Sequence, residues 1–218
     1  MPVFTKDHLL KERNILFAWL EVQYPARETW TTEAFYAAAD RTIAELKEEF
    51  ADYDRKAMFG EDPYFRFFRK FKKTYPVMLQ FESILKDRPF PRHNPAAEVP
   101  FLFEIKTRML SGTHDLDRVH GDIRICSAAE REPFIGLRGE EVHCYPNDVI
   151  GRDDDGIILS LVAGADARTC CHEDSRHVFY PVFGMPGMPE ETLRNALDEL
   201  AACVRLLCPD AVITKHVI

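Results

Sequence analysis

A short polar segment in the middle of the chain carries the residues best suited to chemistry. Residues 111–124 read SGTHDLDRVHGDIR, in which His114 lies between two glycines and is followed by Asp115 and Asp117. This composition predicts an exposed turn in which the imidazole and the backbone can meet a ligand. A polar surface histidine would look the same, and the two aspartates could serve only to cap and shape the turn. His114 is therefore a candidate catalytic residue, with Asp115 and Asp117 as turn-shaping residues.

Cysteine and histidine side chains in the second half offer a candidate metal site, because thiolate and imidazole are good zinc ligands. The potential ligands are Cys170, Cys171, His172, His143, Cys144 and His177. Adjacent cysteines point apart in an extended segment, and none of the familiar ligand spacings is present. We expect no metal and interpret all six cysteines as free thiols, with a zinc hydrolase as the competing hypothesis.

Other motifs that carry chemistry are missing from the sequence. It contains no Gly-x-Ser-x-Gly elbow, no Walker phosphate loop and no Gly-x-Gly-x-x-Gly. Three aspartates precede Gly156, a pattern more typical of a solvated hairpin tip than of a cation site. We therefore expect no cofactor.

Charge is distributed unevenly along the chain. The formal net charge is −8, yet residues 61–92 hold eight Lys and Arg against four Asp and Glu. An acidic protein that contacts phosphate needs such a local basic surface, although a solvated helix face has the same composition. The candidate phosphate-binding residues are Arg66, Arg69, Lys70, Lys72 and Lys73.

The elements that must position these residues follow from hydrophobic periodicity. In the first half, we predict a strand over 14–23, a helix from Thr31 or Thr32 to Phe50, a helix from Asp62-Pro63 ended by Pro76, a helix over 77–87, a stiff proline-rich connector over 88–95 and a helix over 99–110 ended by Ser111-Gly112. In the second half, we predict strands over 123–126, 141–145, 156–163 and 177–183, a helix through Leu193 and Leu207 ended by Cys208-Pro209, and a closing strand over 211–218.

These elements predict an α+β fold with a mostly antiparallel sheet flanked by helices. The 218 residues, 46% of them hydrophobic, are expected to form a single domain. It comprises an N-terminal strand and helix extension (1–60), a core (61–209) and a closing strand (210–218). No apolar run is long enough for a membrane span, and the N-terminus lacks the pattern of a signal peptide. The expected location is the cytoplasm.

The segment beginning at His114 resembles the signature of the editing domain of the phenylalanyl-tRNA synthetase beta subunit. The chain resembles more closely the freestanding proteins built from that tRNA-binding domain, the B-three/B-four domain. The resemblance spans residues 60–207 and rests on ordered anchors: Tyr75-Pro76 to Leu85, Pro89–Pro95, His114–Asp117, Arg138–Glu141, Arg168-Thr169 and the closing amphipathic helix.

The resemblance implies an antiparallel sheet flanked by helices and hydrolysis of wrongly charged aminoacyl-tRNA, performed in trans and without a metal. The pocket histidine of the family falls on His114, where it would orient water or the ribose hydroxyl. The pocket glutamate is replaced by Pro181 and the pocket asparagine by Phe101. Both are therefore candidate substrate-pocket residues, and Glu98, Glu104 and Asp166 are candidate replacement carboxylates.

Two main hypotheses follow from the resemblance. The first is a trans-editing deacylase of aminoacyl-tRNA that uses His114. The second is a binding module of the same fold that holds tRNA or an amino acid without turnover, because Pro181 and Phe101 alter the pocket. The expected partner in both cases is tRNA or aminoacyl-tRNA, with no membrane, and the basic residues from Arg66 to Lys73 become candidate tRNA-binding residues. The oligomeric state stays open.

Overall fold

The computed structural model describes residues 2–218. Its helices are α1 (His8–Glu12), α2 (Thr32–Glu49), α3 (Arg55–Phe59), α4 (Pro63–Lys70), α5 (Pro76–Leu85), α6 (Pro95–Thr107) and α7 (Glu190–Leu207). Its strands are β1 (Phe4–Lys6), β2 (Phe17–Gln23), β3 (His114–Asp115), β4 (Ile123–Ser127), β5 (Pro133–Ile135), β6 (Glu141–His143), β7 (Val149–Asp153), β8 (Gly156–Ser160), β9 (Gly164–Ala165), β10 (His177–Phe183) and β11 (Val212–Val217). Two single-turn 3₁₀ helices within these residues cover Arg27–Thr29 and Leu116–Arg118.

The strands of the described chain form three sheets. One has the order β1-β4-β7-β8-β9, a second the order β11-β2-β10-β3, and the third is the β5-β6 hairpin. Strand β1 runs parallel to β4, whereas the other pairs of neighbouring strands are antiparallel. The predicted α+β fold with mostly antiparallel sheets and flanking helices is therefore confirmed.

Strand β10 is one of the two inner strands of the four-stranded sheet. It pairs with β2 along its whole length, whereas β3 covers only Val178 and Phe179. The sequence HVFYPVF is buried from Val178 onward, as expected for a strand covered on both faces. Pro181, which has no N–H to donate, lies beyond the end of β3, where fewer ladder hydrogen bonds are required.

Helix α6 is attached to β10 through a carbonyl that its own proline leaves free. Pro100 lies inside α6 and has no N–H with which to reach the carbonyl of Ala96, four residues earlier. The hydroxyl of Tyr180, on β10, donates to that carbonyl at 2.9 Å. The Tyr180 oxygen also lies 2.7 Å from the hydroxyl of Tyr24, which supplies the proton between them. All these groups are buried, so the hydrogen bond fixes which residue of α6 lies opposite Tyr180 of β10.

Two predicted helices have different ends in the structure. Helix α4 begins at the predicted cap, where the Asp62 side chain accepts from the N–H of Phe65, but it ends at Lys70. The prediction that it continues to Pro76 is wrong, because Lys72 adopts a left-handed conformation (φ 56°) and turns the chain. Helix α6 begins at Pro95 and ends at Thr107, before Ser111-Gly112, because Arg108 is left-handed (φ 61°) and closes it.

The main core joins the first and second halves of the chain. Buried side chains of α2, α5, α6 and α7 pack with those of β2 and β10 in one cluster, and a smaller cluster lies under the β5-β6 hairpin. Among residues 2–218, none of the helices is both long and apolar enough to cross a bilayer.

The hydrogen bond from Tyr180 to Ala96 provides the first prediction. Tyr180→Phe is expected to lower the free energy of unfolding by about 1–3 kcal/mol, because it leaves a buried carbonyl without a donor. Urea denaturation measures the change. In a Pro100→Ala background the helix regains an N–H that can reach the Ala96 carbonyl. Tyr180→Phe is therefore expected to lower the free energy of unfolding by less in that background than in wild type. Equal costs in the two backgrounds would show that this carbonyl is not what the tyrosine stabilises.

Candidate functional site

His114 lies in a strand, so the prediction of an exposed turn is wrong for this residue. Strand β3 pairs His114 with Phe179 on one side, and a bridge joins it to Cys170 on the other. The imidazole stacks on the Phe179 ring with centroids 4.8 Å apart, and His114 is only 1% exposed. The turn begins after it, at Leu116. The glycines and aspartates of this segment therefore mark where the strand ends, not where the histidine is exposed.

A buried hydrogen-bond chain fixes the orientation of the imidazole. The hydroxyl of Thr169 donates its single proton to Asp166 and lies 2.8 Å from Nδ1 of His114. Because that proton is already used, the hydroxyl accepts from Nδ1–H, which assigns the tautomer. Nε2 is then unprotonated and can accept a hydrogen bond from a water molecule or a hydroxyl group.

Burial keeps this imidazole neutral. It lowers the pKa of His114 to about 3, because the ring is removed from solvent. Over the physiological range, Nε2 is therefore a hydrogen-bond acceptor. It can orient a water molecule, but it is a poor permanent acceptor of a proton.

His114 contributes to the wall of a cavity of about 160 Å³. Gly112 and Pro181 line the same cavity. A methyl group at Gly112 would stand 3.9 Å from Nε2 of His114 and 3.5 Å from Cγ of Pro181, so the missing side chain keeps this corner open. The volume equals that of several water molecules, each of which occupies about 30 Å³ in the liquid.

A second cavity of about 430 Å³ shares the segment Leu110–Gly112 and Gly164-Ala165 with the first. One face of α6 lines it, through Ala97, Pro100, Phe101 and Glu104 at helical spacing. Phe101 and Pro181, both predicted as pocket residues, therefore line different cavities that adjoin each other.

The three candidate replacement carboxylates have different environments. Glu98 is occupied by structural hydrogen bonds, accepting from the hydroxyl of Tyr36 at 2.7 Å and from the N–H of Asn94 at 3.0 Å. Asp166 reaches His114 only through Thr169. Glu104 lines the larger cavity, and burial raises the pKa of its carboxyl to about 8.

Asp115 and Asp117 lie in different surroundings. Asp115 is buried, and its carboxylate accepts from the N–H of Asp117 at 2.9 Å and from the hydroxyl of Ser175 at 2.5 Å. Its other neighbour is Nε2 of His172 at 3.1 Å. The Asp117 side chain is 69% exposed and lies 3.5 Å from His177. Asp115 therefore holds the turn together, while Asp117 contributes to it mainly through its backbone.

The cysteine and histidine cluster is not assembled into a metal centre. His172 is close to Asp115, whereas His177 lies 2.9 Å from Glu21. Within residues 2–218, no group of three or more His, Cys, Asp and Glu side chains is placed to hold a metal ion. All six cysteines are free.

The candidate tRNA-binding residues lie on and just after α4. All five are exposed: Arg66, Arg69, Lys70, Lys72 and Lys73. Arg66 pairs with Glu61, and the ammonium of Lys73 lies 5.4 Å from the centre of the Tyr145 ring. The opposite face of α4 is buried, and the hydroxyl of Tyr64 on that face donates to the carbonyl of Phe183. Phe183 lines the cavity of His114, so this basic surface belongs to an element attached to the cavity wall.

Sequence reasoning missed Thr169 and Ser111 as site residues. Thr169 is visible in the sequence only as part of the Arg168-Thr169 anchor, and Ser111 only as a helix stop. Thr169 contacts His114, which is distant in the chain, and the relevance of Ser111 comes from its position in the cavity wall, so neither gives a local signal.

The fold and site define a mixed α+β domain with a buried histidine in the wall of the smaller of two adjoining cavities. The family model described as the B3/4 domain matches residues 62–209, and the chain belongs to that family. This match confirms the resemblance drawn from the motifs.

Similar proteins are phenylalanine–tRNA ligase beta subunits. That of Mycoplasma genitalium is 30% identical over 69 residues, and that of Mycoplasma pneumoniae is 26% identical over 69 residues. Each alignment covers 32% of this chain and 9% of the relative, so the chain matches only a small part of those subunits. An N-terminal fragment of the phenylalanyl-tRNA synthetase beta subunit from Pyrococcus horikoshii superposes with a TM-score of 0.49 at 12% identity, over 99% of this chain and 53% of the fragment.

The buried neutral histidine predicts a specific dependence of stability on pH. Because the folded-state pKa of His114 is about 3, below the ordinary histidine value of 6.5, the unfolded chain binds a proton first as the pH falls. The contribution of His114 to the free energy of unfolding is therefore fully present above pH 6.5. It falls by up to about 1.4 kcal/mol per pH unit as the pH is lowered toward 3. Denaturation at several pH values measures the slope.

The comparison variant is His114→Asn, whose carboxamide can still donate to Thr169. It is expected to have a shallower loss of stability between pH 6.5 and pH 4. His8→Gln, which removes an exposed histidine, controls for the change in composition. Identical slopes in wild type and His114→Asn would contradict the buried neutral imidazole.

Proposed function

We propose that this protein hydrolyses the ester bond of aminoacyl-tRNA carrying the wrong amino acid, acting in trans on tRNA released by a synthetase. The observation that carries the proposal is the unprotonated Nε2 of His114, fixed by Thr169 and facing a cavity of about 160 Å³, large enough for several water molecules. Membership of the B3/4 domain family and the similarity to phenylalanine–tRNA ligase beta subunits support it.

In the proposed reaction, a water molecule held by Nε2 attacks the carbonyl carbon of the ester. The water oxygen bonds to that carbon, the bond between the carbon and the ribose oxygen breaks, and the proton that the water loses passes to the ribose oxygen, so the products are free amino acid and tRNA. A neutral imidazole suits this role because its contribution is to position the water and the ribose hydroxyl, and positioning alone lowers the barrier substantially.

In this proposal, the two cavities bind different parts of the substrate. The 160 Å³ cavity at His114 accommodates water and the reacting carbonyl, and the 430 Å³ cavity accommodates the amino-acid side chain. Their shared wall at Ser111 and Gly112 is where the ester would lie. The basic surface of α4 would hold the phosphates of the acceptor end, because its buried face is attached to the same cavity wall through Tyr64.

The second candidate is a binding module without turnover. The observation that favours it is the low pKa of His114, because an imidazole that resists protonation is a weak general base. This reading keeps the same cavities and the same basic surface, and it differs only in the fate of the ester.

Ester hydrolysis separates the two candidates. Wild-type protein is expected to release amino acid from at least one member of a panel of mischarged tRNAs, and His114→Ala is expected to reduce that rate by about 10²-fold or more, because the water is no longer positioned. Because His114 stays neutral, the rate should show no loss attributable to its protonation between pH 7 and pH 5.5. Release of radiolabelled amino acid measures the rate.

The matched control is His177→Ala, which removes an imidazole from the same sheet but outside both cavities. It is expected to retain wild-type activity. Activity in His114→Ala equal to that of wild type would refute the catalytic assignment. Tight binding of aminoacyl-tRNA without release of amino acid from any member would favour the binding module.

The basic surface gives a prediction about tRNA affinity. Replacing Lys70, Lys72 and Lys73 together by alanine is expected to weaken tRNA binding, because phosphate contacts release counterions. The slope of log K against log salt should also become shallower, by roughly 0.7–0.9 for each phosphate that the variant no longer neutralises. Fluorescence anisotropy over a salt series measures both quantities.

The control carries the same change in charge on other surfaces. It replaces the exposed residues Lys11, Arg41 and Arg131 by alanine. This variant is expected to keep most of the affinity and the salt slope of wild type. If the two triple variants bind tRNA equally well, α4 is not the phosphate-binding element.

A further inference from the structure

The larger cavity contains buried polar atoms that the protein itself leaves without partners. The hydroxyl of Ser111 and Oε1 of Gln80 are buried and have no hydrogen-bond partner within residues 2–218. Both residues line the 430 Å³ cavity, and Ser111 is only 9% exposed. An unsatisfied buried polar group costs about 1–3 kcal/mol, so a pair of them at one cavity suggests that a ligand completes the hydrogen bonding.

Glu104 adds a third polar group to the same wall. It is 4% exposed, its Oε1 accepts from the N–H of Ser111 at 2.9 Å, and its carboxyl also hydrogen-bonds the side chain of Gln80, whose Oε1 remains without a partner. With its pKa raised to about 8 by burial, this carboxyl is mainly protonated at neutral pH, so it can donate one hydrogen bond and accept others. The cavity therefore offers both donors and acceptors in a small region.

The rest of the lining is apolar or neutral. Pro76, Pro100, Phe101 and Leu110 supply apolar wall, and among residues 2–218 no Lys, Arg or His lines the cavity. The two cysteines at its edge are thiols, because burial raises the pKa of Cys171 to about 11 and raises the pKa of Cys170 as well. A ligand group with a negative charge would find no counter-charge here, and one with a positive charge would require ionisation of a buried carboxyl.

We infer that this cavity is the specificity site for an amino-acid side chain that is neutral and carries a hydroxyl or carboxamide group, with Glu104, Ser111 and Gln80 as its recognition residues. The inference rests on the proposed function in one respect: it takes the ligand to be an amino acid esterified to the terminal adenosine of tRNA. Binding of that ligand does not require hydrolysis. A volume of about 430 Å³ lies within the usual range for small-molecule sites. The polar groups fix orientation and the apolar wall supplies contact area.

Stable analogues of the aminoacylated end of tRNA test this inference. The probes are 3′-amino-3′-deoxyadenosine amides carrying threonine or valine, and asparagine or leucine, two pairs similar in shape that differ in polarity. The polar member of each pair is expected to bind wild-type protein at least about tenfold more tightly, which corresponds to about one well-made buried hydrogen bond. Amides carrying aspartate or lysine are expected to bind more weakly than either polar member. Isothermal titration calorimetry measures each affinity.

Two variants locate the preference within the cavity. Ser111→Ala removes a hydroxyl that makes no hydrogen bond within residues 2–218, so the variant should fold normally and lose part of the preference. Glu104→Gln keeps an acceptor for the N–H of Ser111 and should retain the preference, whereas Glu104→Leu should abolish it. Circular dichroism before each titration establishes that the variants are folded.

The outcomes separate this inference from the proposed function. A preference for the polar member that Ser111→Ala reduces would support the inference even if no mischarged tRNA were hydrolysed. Hydrolysis together with equal affinities within both pairs would refute the inference and leave the deacylase standing. Absence of measurable binding by all probes, or a clear preference for the apolar members, would also refute the inference.

Discussion

The hydrogen bond from Tyr180 to the carbonyl of Ala96 is the constraint on which the geometry of the site depends. It exists because Pro100 cannot use that carbonyl, so the helix must obtain a donor from outside itself. Helix α6 supplies the wall of the larger cavity, while β10 supplies Pro181 to the smaller one and pairs with the strand that carries His114. This buried contact therefore joins the two halves of the site, together with the packing of α6 against α7.

The buried polar groups of the molecule fall into two kinds. In the chain from Asp166 through Thr169 to His114, each hydrogen bond is satisfied internally, so the chain rigidifies the imidazole. Ser111 and Gln80 instead have buried atoms beside the adjoining cavity that find no partner in residues 2–218. In the inference drawn above, the first kind maintains the structure and the second kind contacts a ligand.

Long periodic elements could be predicted from the sequence, and contacts between distant residues could not. The strand over 177–183, the helix cap at Asp62 and the last helix agree with their hydrophobic patterns. Elements of two to five residues, such as β1, α1 and α3, are too short to show periodicity. His114 is recognisable as a candidate from the sequence, but its burial in a strand is not. This two-residue strand is held by pairing with β10 and by the bridge to Cys170, and neither contact leaves a pattern in the local sequence.

The changes at the pocket acquire a common explanation if the two proposals hold. The resemblance implies that a glutamate on β10 and an asparagine on α6 are replaced here by Pro181 and Phe101. Those replacements remove polarity from both positions, yet Glu104 restores a carboxyl one turn beyond Phe101 on the same face of α6. The carboxyl group of the pocket would then be carried by helix α6 in this protein, in place of the strand position that Pro181 occupies. Since Tyr180 joins α6 to β10, the relocated carboxyl would lie on an element hydrogen-bonded to the strand that pairs with His114.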